Sequence, residues 1–176
     1  WHDPRTALQR DWWAARGDPY DLYRITGQHL THIFGANKLL WIRQHWPEAW
    51  ERAAAWRCVE DAINWHLCGA HATDYTMASR TMLLDQEKGL WADDLLDEAG
   101  IPAPWLPELG PSGRMVGTVS PRAAAETGLR QGTPVAAGGH DHLCAALACG
   151  CLGSGDFLDS MGTSDALLWI TDAFRP

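Results

Sequence analysis

From the start of the chain to Gly69, apolar residues recur at helical spacing, and short breaks of Asp, Pro and Gly separate the apolar runs. An Asp-Pro pair favours the start of a helix, because proline fits the first turn and aspartate can cap it, whereas glycine favours its end. These breaks predict helices that begin at Asp3, after Asp18 and at Pro47, and two more over residues 38–45 and 60–68. A short strand is predicted over residues 56–59.

After this helical part, short apolar runs alternate with polar and glycine-rich stretches. The polar, small residues of 74–81 predict a loop, and the Pro- and Gly-rich stretch 101–113 predicts a surface connection. Strands are predicted over residues 82–85, 115–119 and 133–137, helices over 91–99, 121–127 and 141–149, and a β-hairpin over 156–161 and 165–170. The mixture of helices and strands predicts an α/β fold class.

Composition changes this picture little but excludes several classes of protein. The chain has 176 residues, of which 46% are hydrophobic, so a packed core is expected rather than disorder. Its length suits one domain or parts of two. The formal net charge is −8, and no cluster of Lys or Arg offsets it. A partner with a polyanionic surface, either nucleic acid or an anionic membrane, is therefore not expected.

The cysteines and the ends of the chain bear on location. Five cysteines occur at irregular spacing, without a second pair or a nearby histidine that would complete a zinc site. Reduced thiols in a cytoplasmic protein are expected. No apolar run reaches membrane-spanning length, and no signal peptide is visible. The chain begins with Trp1 and ends directly after a strand-like run, which predicts a piece of a longer protein.

Asp141 is the first candidate for chemistry. It follows the predicted buried strand and the pair Gly138-Gly139, and it opens the next helix. A carboxylate just past the carboxyl end of a strand lies where open α/β sheets bind ligands. The two glycines keep side chains away from it, so Asp141 could accept a proton from a hydroxyl. The alternative is structural, because aspartate is a common helix N-cap.

The turn of the predicted hairpin, Gly162-Thr163-Ser164, is the second candidate. Backbone N–H groups and hydroxyls at such a turn can hold phosphate oxygens. The alternative is an ordinary turn, since these residue types are common in turns. A phosphate-binding turn shortly after a candidate base indicates phosphoryl transfer, which needs both a positioned nucleophile and a binding site for the phosphate charge.

These two motifs, in this order, resemble the central segment of the FGGY carbohydrate kinases. Further segments are similar to the family and follow its order along the chain. They are the Trp-x-x-x-Arg stretch of residues 1–5, the signature-like residues 38–45, the glycerol-kinase-like residues 74–84, and residues 101–107 and 116–117. The resemblance covers essentially the whole chain.

The resemblance implies an actin-like ATPase (ribonuclease H-like) fold with two α/β domains and a cleft between them. Residues 1–150 are then expected to be the C-terminal portion of the first, sugar-binding domain, with a helical insertion. Residues 151–176 are expected to begin the second, nucleotide-binding domain with its first hairpin. The glycines between residues 150 and 155 form a plausible hinge between the two.

The resemblance also implies an enzyme that uses ATP with Mg²⁺ to phosphorylate a sugar or polyol. In this interpretation Asp141 is the catalytic base, and no residue is assigned to a metal. The nucleotide phosphates are expected at Gly162, Thr163 and Ser164, and the substrate is expected at Trp1, His142 and Ile33. His140 and His142 flank the base, on opposite sides of it if the chain is extended there, and either one could orient Asp141 or be structural.

Several alternatives stay open. Ile33 stands where glycerol kinases have a sugar-side tyrosine, and His142 replaces their glutamine. Both differences argue against glycerol, whereas residues 74–84 favour it. The sequence leaves open which sugar is used and whether the protein forms a homo-oligomer. Two other functions also remain: a catalytically silent sugar-binding relative, and an actin-like ATPase whose function does not involve sugar.

Overall fold

The computed structural model describes residues 3–162 and 165–174. Side chains cap several of the helices: the Asp18 carboxylate accepts the N–H of Tyr20, as the sequence predicts, and the Ser120 hydroxyl accepts the N–H of Ala123. The helices are α1 (Ala7–Ala14), α2 (Pro19–Thr26), α3 (Gly35–His45), α4 (Pro47–Arg52), α5 (Val59–Cys68), α6 (Tyr75–Ser79), α7 (Asp93–Ala99), α8 (Pro121–Thr127) and α9 (Asp141–Ala148), with 3-10 helices at Pro4–Thr6 and Ala103–Trp105.

The strands pair in twos within the described ranges. The strands are β1 (Ala72–Asp74), β2 (Leu84–Asp85), β3 (Leu90–Trp91), β4 (Glu108–Gly110), β5 (Met115–Thr118), β6 (Pro134–Ala136), β7 (Phe157–Met161) and β8 (Asp165–Trp169). β1 pairs with β4 in parallel, and the pairs β2–β3, β5–β6 and β7–β8 are antiparallel. Helices and strands are thus mixed, as the sequence predicts for an α/β protein.

Three local predictions are wrong. Residues 56–59 do not form a strand, because the Asp61 side chain accepts the N–H of Cys58 and starts α5 at Val59. Residues 74–81 are not a simple loop, because Asp74 caps α6. Residues 101–113 are more than a surface connection, since they contain β4 and contribute buried apolar side chains.

The main hydrophobic core lies among α1, α2, α3, α7 and the segments that follow α6 and α7. Burying an aliphatic or aromatic side chain stabilises a fold by about 1.5–3 kcal/mol, so this cluster dominates the packing energy. Its buried members are Trp13, Leu22, Phe34, Ala36, Leu39, Leu40, Met82, Leu83, Ala92, Leu95, Leu96, Ala99, Ile101 and Leu106. A smaller cluster of Val119, Ala123 and Val135 joins α8 to the β5–β6 pair.

Two general features bear on the setting of the protein. Among residues 3–162 and 165–174, no helix combines the length and apolar character needed to cross a membrane. All five cysteines fall within these ranges, and each is a free thiol. Burial raises the pKa of the Cys58 thiol to about 12, with the nearby Asp61 carboxylate adding to the effect.

Candidate functional site

The carboxylate of Asp141 is open to solvent at the start of α9. Its side chain is 87% exposed. Its Oδ1 atom accepts the N–H of His142 at 2.9 Å. The N-cap position belongs to His140, whose side chain makes no capping hydrogen bond, so Asp141 does not serve as the cap of α9. A negative charge at this end of a helix also interacts favourably with the helix dipole.

The loop of residues 137–140 positions Asp141, and two side chains from distant helices hold its backbone. The N–H of Gly138 donates to Oε1 of Glu60 on α5 at 2.8 Å. The N–H of His140 donates to Oγ1 of Thr76 on α6 at 2.7 Å. Both amides adjoin Gly139, so the loop is fixed on either side of this residue.

Gly139 itself packs tightly against the protein. A Cβ atom at this position would lie 3.1 Å from Sγ of Cys144. It would also lie 3.3 Å from Oγ of Ser112 and 3.4 Å from Oγ1 of Thr76. At Gly138 the shortest such distance is 3.6 Å, to the Glu60 carboxyl carbon, which is ordinary contact. A side chain at residue 139 would therefore make its neighbours shift by a few tenths of an ångström, whereas residue 138 has room for one.

Asp74 lies beneath this loop and is fully buried. Its Oδ2 atom accepts the Thr76 hydroxyl at 2.5 Å and the Ser112 hydroxyl at 2.6 Å. The N–H groups of Thr76 and Met77 also donate to this carboxylate, at 2.9 and 3.1 Å. A buried carboxylate is tolerated when several donors satisfy it, and Asp74 meets that condition.

Electrostatics distinguishes two of the groups around the loop. Burial raises the pKa of Glu60, and the hydrogen bond from the Gly138 N–H opposes that rise only in part. Burial lowers the pKa of His140, against the opposing effect of the Asp141 carboxylate. The His140 ring is therefore neutral at neutral pH, and its Nδ1 atom lies 3.2 Å from Oδ1 of Asp141.

His142 connects the start of α9 with the hairpin. Its Nδ1 atom lies 3.1 Å from Oγ of Ser160, in β7, two residues before Gly162. The rings of His140 and His142 stack with centroids 5.5 Å apart, so they lie on one side of the chain rather than on opposite sides of Asp141. Gly162 is exposed at the end of β7. Thr163 and Ser164, the other predicted phosphate-binding residues, lie outside the described residues.

Two of the residues predicted to contact the sugar, Ile33 and Trp1, belong to the first part of the chain rather than to the region around α9. Ile33 lies in the turn before α3 and packs against the main core. Its neighbour Phe34 lies under the guanidinium of Arg80, at 4.9 Å. The positive charge of Arg80 also contributes to the lowered pKa of His140. Trp1 lies outside the described residues.

Sequence reasoning missed the residues that hold the loop. Ser112 and Glu60 belong to no motif, and their partners Asp74 and Gly138 are far along the chain. Thr76 lies in the family-like segment 74–84, but nothing in that segment indicates that its hydroxyl accepts the N–H of His140 as well as bonding to Asp74.

The fold defines a class of protein. The crystal structure of xylulose kinase from Rhodospirillum rubrum matches 94% of this chain with a TM-score of 0.88 at 32% identity, over 34% of its own length. FGGY kinases of this kind have the actin-like ATPase fold, which confirms the predicted fold class. Residues 1–148 match the N-terminal domain of the FGGY family of carbohydrate kinases. The chain therefore belongs to the FGGY family, as the sequence motifs predicted.

Curated relatives agree with this assignment. The chain is 36% identical over 169 residues to the xylulose kinase of Bacillus subtilis (strain 168), which covers 96% of the chain and 34% of that protein. It is 34% identical over 173 residues to the glycerol kinase of Nocardia farcinica (strain IFM 10152), covering 96% of the chain and 33% of that protein. The chain thus spans about a third of the length of these relatives.

Proposed function

We propose that the full-length protein transfers the γ-phosphoryl group of ATP to a hydroxyl of a sugar or polyol, with Asp141 as general base. The exposed carboxylate at the start of α9, on a loop held from both sides, is the observation that carries this proposal. Membership in a family of carbohydrate kinases supports the reaction type. The names of the relatives, xylulose kinase and glycerol kinase, favour ketoses and polyols as the substrate class.

In this reaction Asp141 accepts the proton of the attacking hydroxyl while the oxygen bonds to phosphorus and the bond to ADP breaks. A positioned general base contributes about 10²–10⁴-fold to a rate. Orientation of the hydroxyl and stabilisation of phosphate charge supply much of the remainder in phosphoryl transfer. The exposure of the carboxylate supports this role, because a substrate hydroxyl can reach it.

The phosphates of ATP are assigned to Gly162, Thr163 and Ser164. The contact between His142 and Ser160 supports this, because it brings the strand that leads to Gly162 beside the start of α9. Mg²⁺ at kinase sites is typically held by one or two carboxylates together with substrate phosphates, and it neutralises phosphate charge. In this proposal Asp141 is assigned to proton transfer, and no residue of the chain is assigned to Mg²⁺. Within residues 3–162 and 165–174, no cluster of three or more His, Cys, Asp or Glu could hold a metal.

The sugar is assigned to His142, Ile33 and Trp1, of which Trp1 lies outside the described residues. The half-buried position of His142 next to Asp141 supports the assignment of His142. We assign residues 1–150 to the sugar-binding domain and residues 151–176 to the start of the nucleotide-binding domain. A hinge is proposed at the glycines between residues 150 and 155, because glycine can adopt backbone conformations that other residues avoid. A cytoplasmic location is proposed together with this function.

The test is an ADP-release screen of the full-length protein against ketopentoses, ketohexoses, deoxy sugars and small polyols. With the accepted substrate, Asp141→Asn is expected to lower kcat by about 10²–10⁴-fold without loss of the fold. Asp97→Asn is a matched control, because Asp97 is an exposed carboxylate on α7. It is expected to retain wild-type turnover.

Three results would contradict the proposal. Near-normal turnover of Asp141→Asn would remove Asp141 from the role of base. Sugar binding by calorimetry without ADP release would favour a catalytically silent relative. ATP hydrolysis that no sugar changes would favour an actin-like ATPase whose function does not involve sugar.

A further inference from the structure

The two hydrogen bonds that hold the loop before Asp141 come from side chains remote in sequence. Oε1 of Glu60 accepts the Gly138 N–H at 2.8 Å, and Oγ1 of Thr76 accepts the His140 N–H at 2.7 Å. The amide of His140 is the one next to the Asp141 residue itself. The Thr76 bond therefore acts closest to the candidate base.

The direction of the Thr76 hydrogen bond is fixed by Asp74. A backbone N–H can only donate a hydrogen bond, whereas a hydroxyl has one proton to donate and lone pairs that accept. The Thr76 hydroxyl donates that proton to Oδ2 of Asp74 at 2.5 Å. Its lone pairs are left to accept the N–H of His140. Ser112 donates to the same Asp74 oxygen at 2.6 Å, which holds the carboxylate in place.

The contacts of the Asp141 side chain do not by themselves fix its position. The side chain is 87% exposed, and its two contacts, with the N–H of His142 and with Nδ1 of His140, are to the residues on either side of it. The position of the carboxylate is therefore set by its backbone, and the backbone is set by the side chains that hold the loop.

We propose that Thr76, oriented by Asp74, is a positioning residue that sets where the Asp141 carboxylate meets the substrate hydroxyl. This inference rests on the proposed function and adds to it a residue that does not touch substrate. Small displacements of a catalytic group lower the rate of the chemical step more than they weaken substrate binding. Loss of the Thr76 hydroxyl should therefore lower kcat and leave KM nearly unchanged.

The test compares three variants of the full-length protein with its accepted sugar. Thr76→Val keeps the shape of the side chain and removes the hydroxyl, and it is expected to lower kcat by about 10–100-fold with KM changed by less than about threefold. Thr76→Ser retains the hydroxyl and is expected to restore most of kcat. Ser79→Ala is the matched control, because the Ser79 hydroxyl bonds only to the Thr76 carbonyl within α6. It should behave as wild type.

These results separate the two proposals. If Asp141→Asn is inactive and Thr76→Val keeps kcat within about twofold of wild type, the positioning role is wrong and the kinase proposal stands. If Thr76→Ser loses as much kcat as Thr76→Val, the hydroxyl is not the relevant group. If Asp141→Asn is fully active, the proposed base fails, and the loop must be judged by a measurement that does not depend on activity.

Amide hydrogen exchange supplies that measurement. In Thr76→Val, the amides of residues 138–142 are expected to exchange at least about tenfold faster than in wild type, because the His140 N–H loses its acceptor. The helix α7, which does not contact the loop through these bonds, serves as an internal reference and should be unchanged. Unchanged exchange of residues 138–142 would overturn the inference whatever the activity of the protein.

Discussion

The main core and the region around α9 differ sharply in how they are held together. In the core, Met82 and Leu83 are fully buried, and Leu96 is 1% exposed. From Asp141 onward, Ala146 is the only buried residue among those that the structure describes. Within this 176-residue chain, the candidate site thus lies where apolar packing is weakest.

The difference teaches how the site keeps its geometry. Within this chain, hydrophobic packing contributes little to the position of Asp141, because α9 exposes Leu147 and much of its surface. Hydrogen bonds hold the loop before Asp141 instead: Thr76 accepts the N–H of His140, and its hydroxyl donates to the buried carboxylate of Asp74. Exposure leaves the carboxylate reachable for a substrate, and the bonds behind it keep it in one place.

The same substitution in the two regions should have very different effects. Leu96→Ala removes a buried side chain from α7 and is expected to destabilise the 176-residue chain by about 2–5 kcal/mol, because it leaves a cavity. Leu147→Ala on α9 is the control, since Leu147 is 65% exposed. Its effect is expected to stay within about 0.5 kcal/mol. Chemical denaturation monitored by circular dichroism measures both.

Equal losses of stability in the two variants would break the comparison. That result would mean that α9 is packed as tightly as the core. It would also remove the reason for assigning the position of Asp141 to hydrogen bonds.

A second pair of substitutions, at the adjacent Gly138 and Gly139 of the loop before Asp141, tests the packing of that loop through a smaller expected effect. Gly139→Ala places a methyl group against Cys144, Ser112 and Thr76, and it is expected to cost about 1–3 kcal/mol of stability because the site is already filled. It should also lower kcat, since the loop must shift to make room. Gly138→Ala meets only ordinary contacts and keeps its N–H for Glu60, so its effect should stay within about 0.5 kcal/mol.

The order of these two effects is the result that matters. If Gly138→Ala proved more harmful than Gly139→Ala, the tight approach at residue 139 would not describe the loop in solution. Thermal unfolding and steady-state kinetics on the same preparations would decide this.

The fold could be predicted from the sequence where local chemistry decides it. Asp18 with Pro19 starts a helix and Gly27 ends it, because the capping bonds and the left-handed glycine involve neighbours in the chain. The predictions failed where contacts between residues distant in sequence determine the local structure. β4 forms because it pairs in parallel with β1, and Ile101 is buried by packing against the main core, neither of which leaves a local pattern.

The same limit applies to the site. Asp141 could be predicted as a candidate base because a strand, two glycines and a helix start are consecutive in the sequence. The sequence alone does not decide between this role and that of a helix cap, whereas the structure places His140 at the N-cap of α9. Thr76 could not be predicted, because its bond to His140 joins residues 64 positions apart. Nothing in the sequence near Thr76 indicates which amide its hydroxyl will accept.

The most direct test of the central claim is a crystal structure of the full-length protein with its accepted sugar and a non-hydrolysable ATP analogue. A sugar hydroxyl oxygen is expected within about 2.6–3.2 Å of an Asp141 carboxylate oxygen, on the side that faces the γ-phosphate. A structure in which another residue contacts that hydroxyl, while Asp141 points into solvent, would contradict the claim.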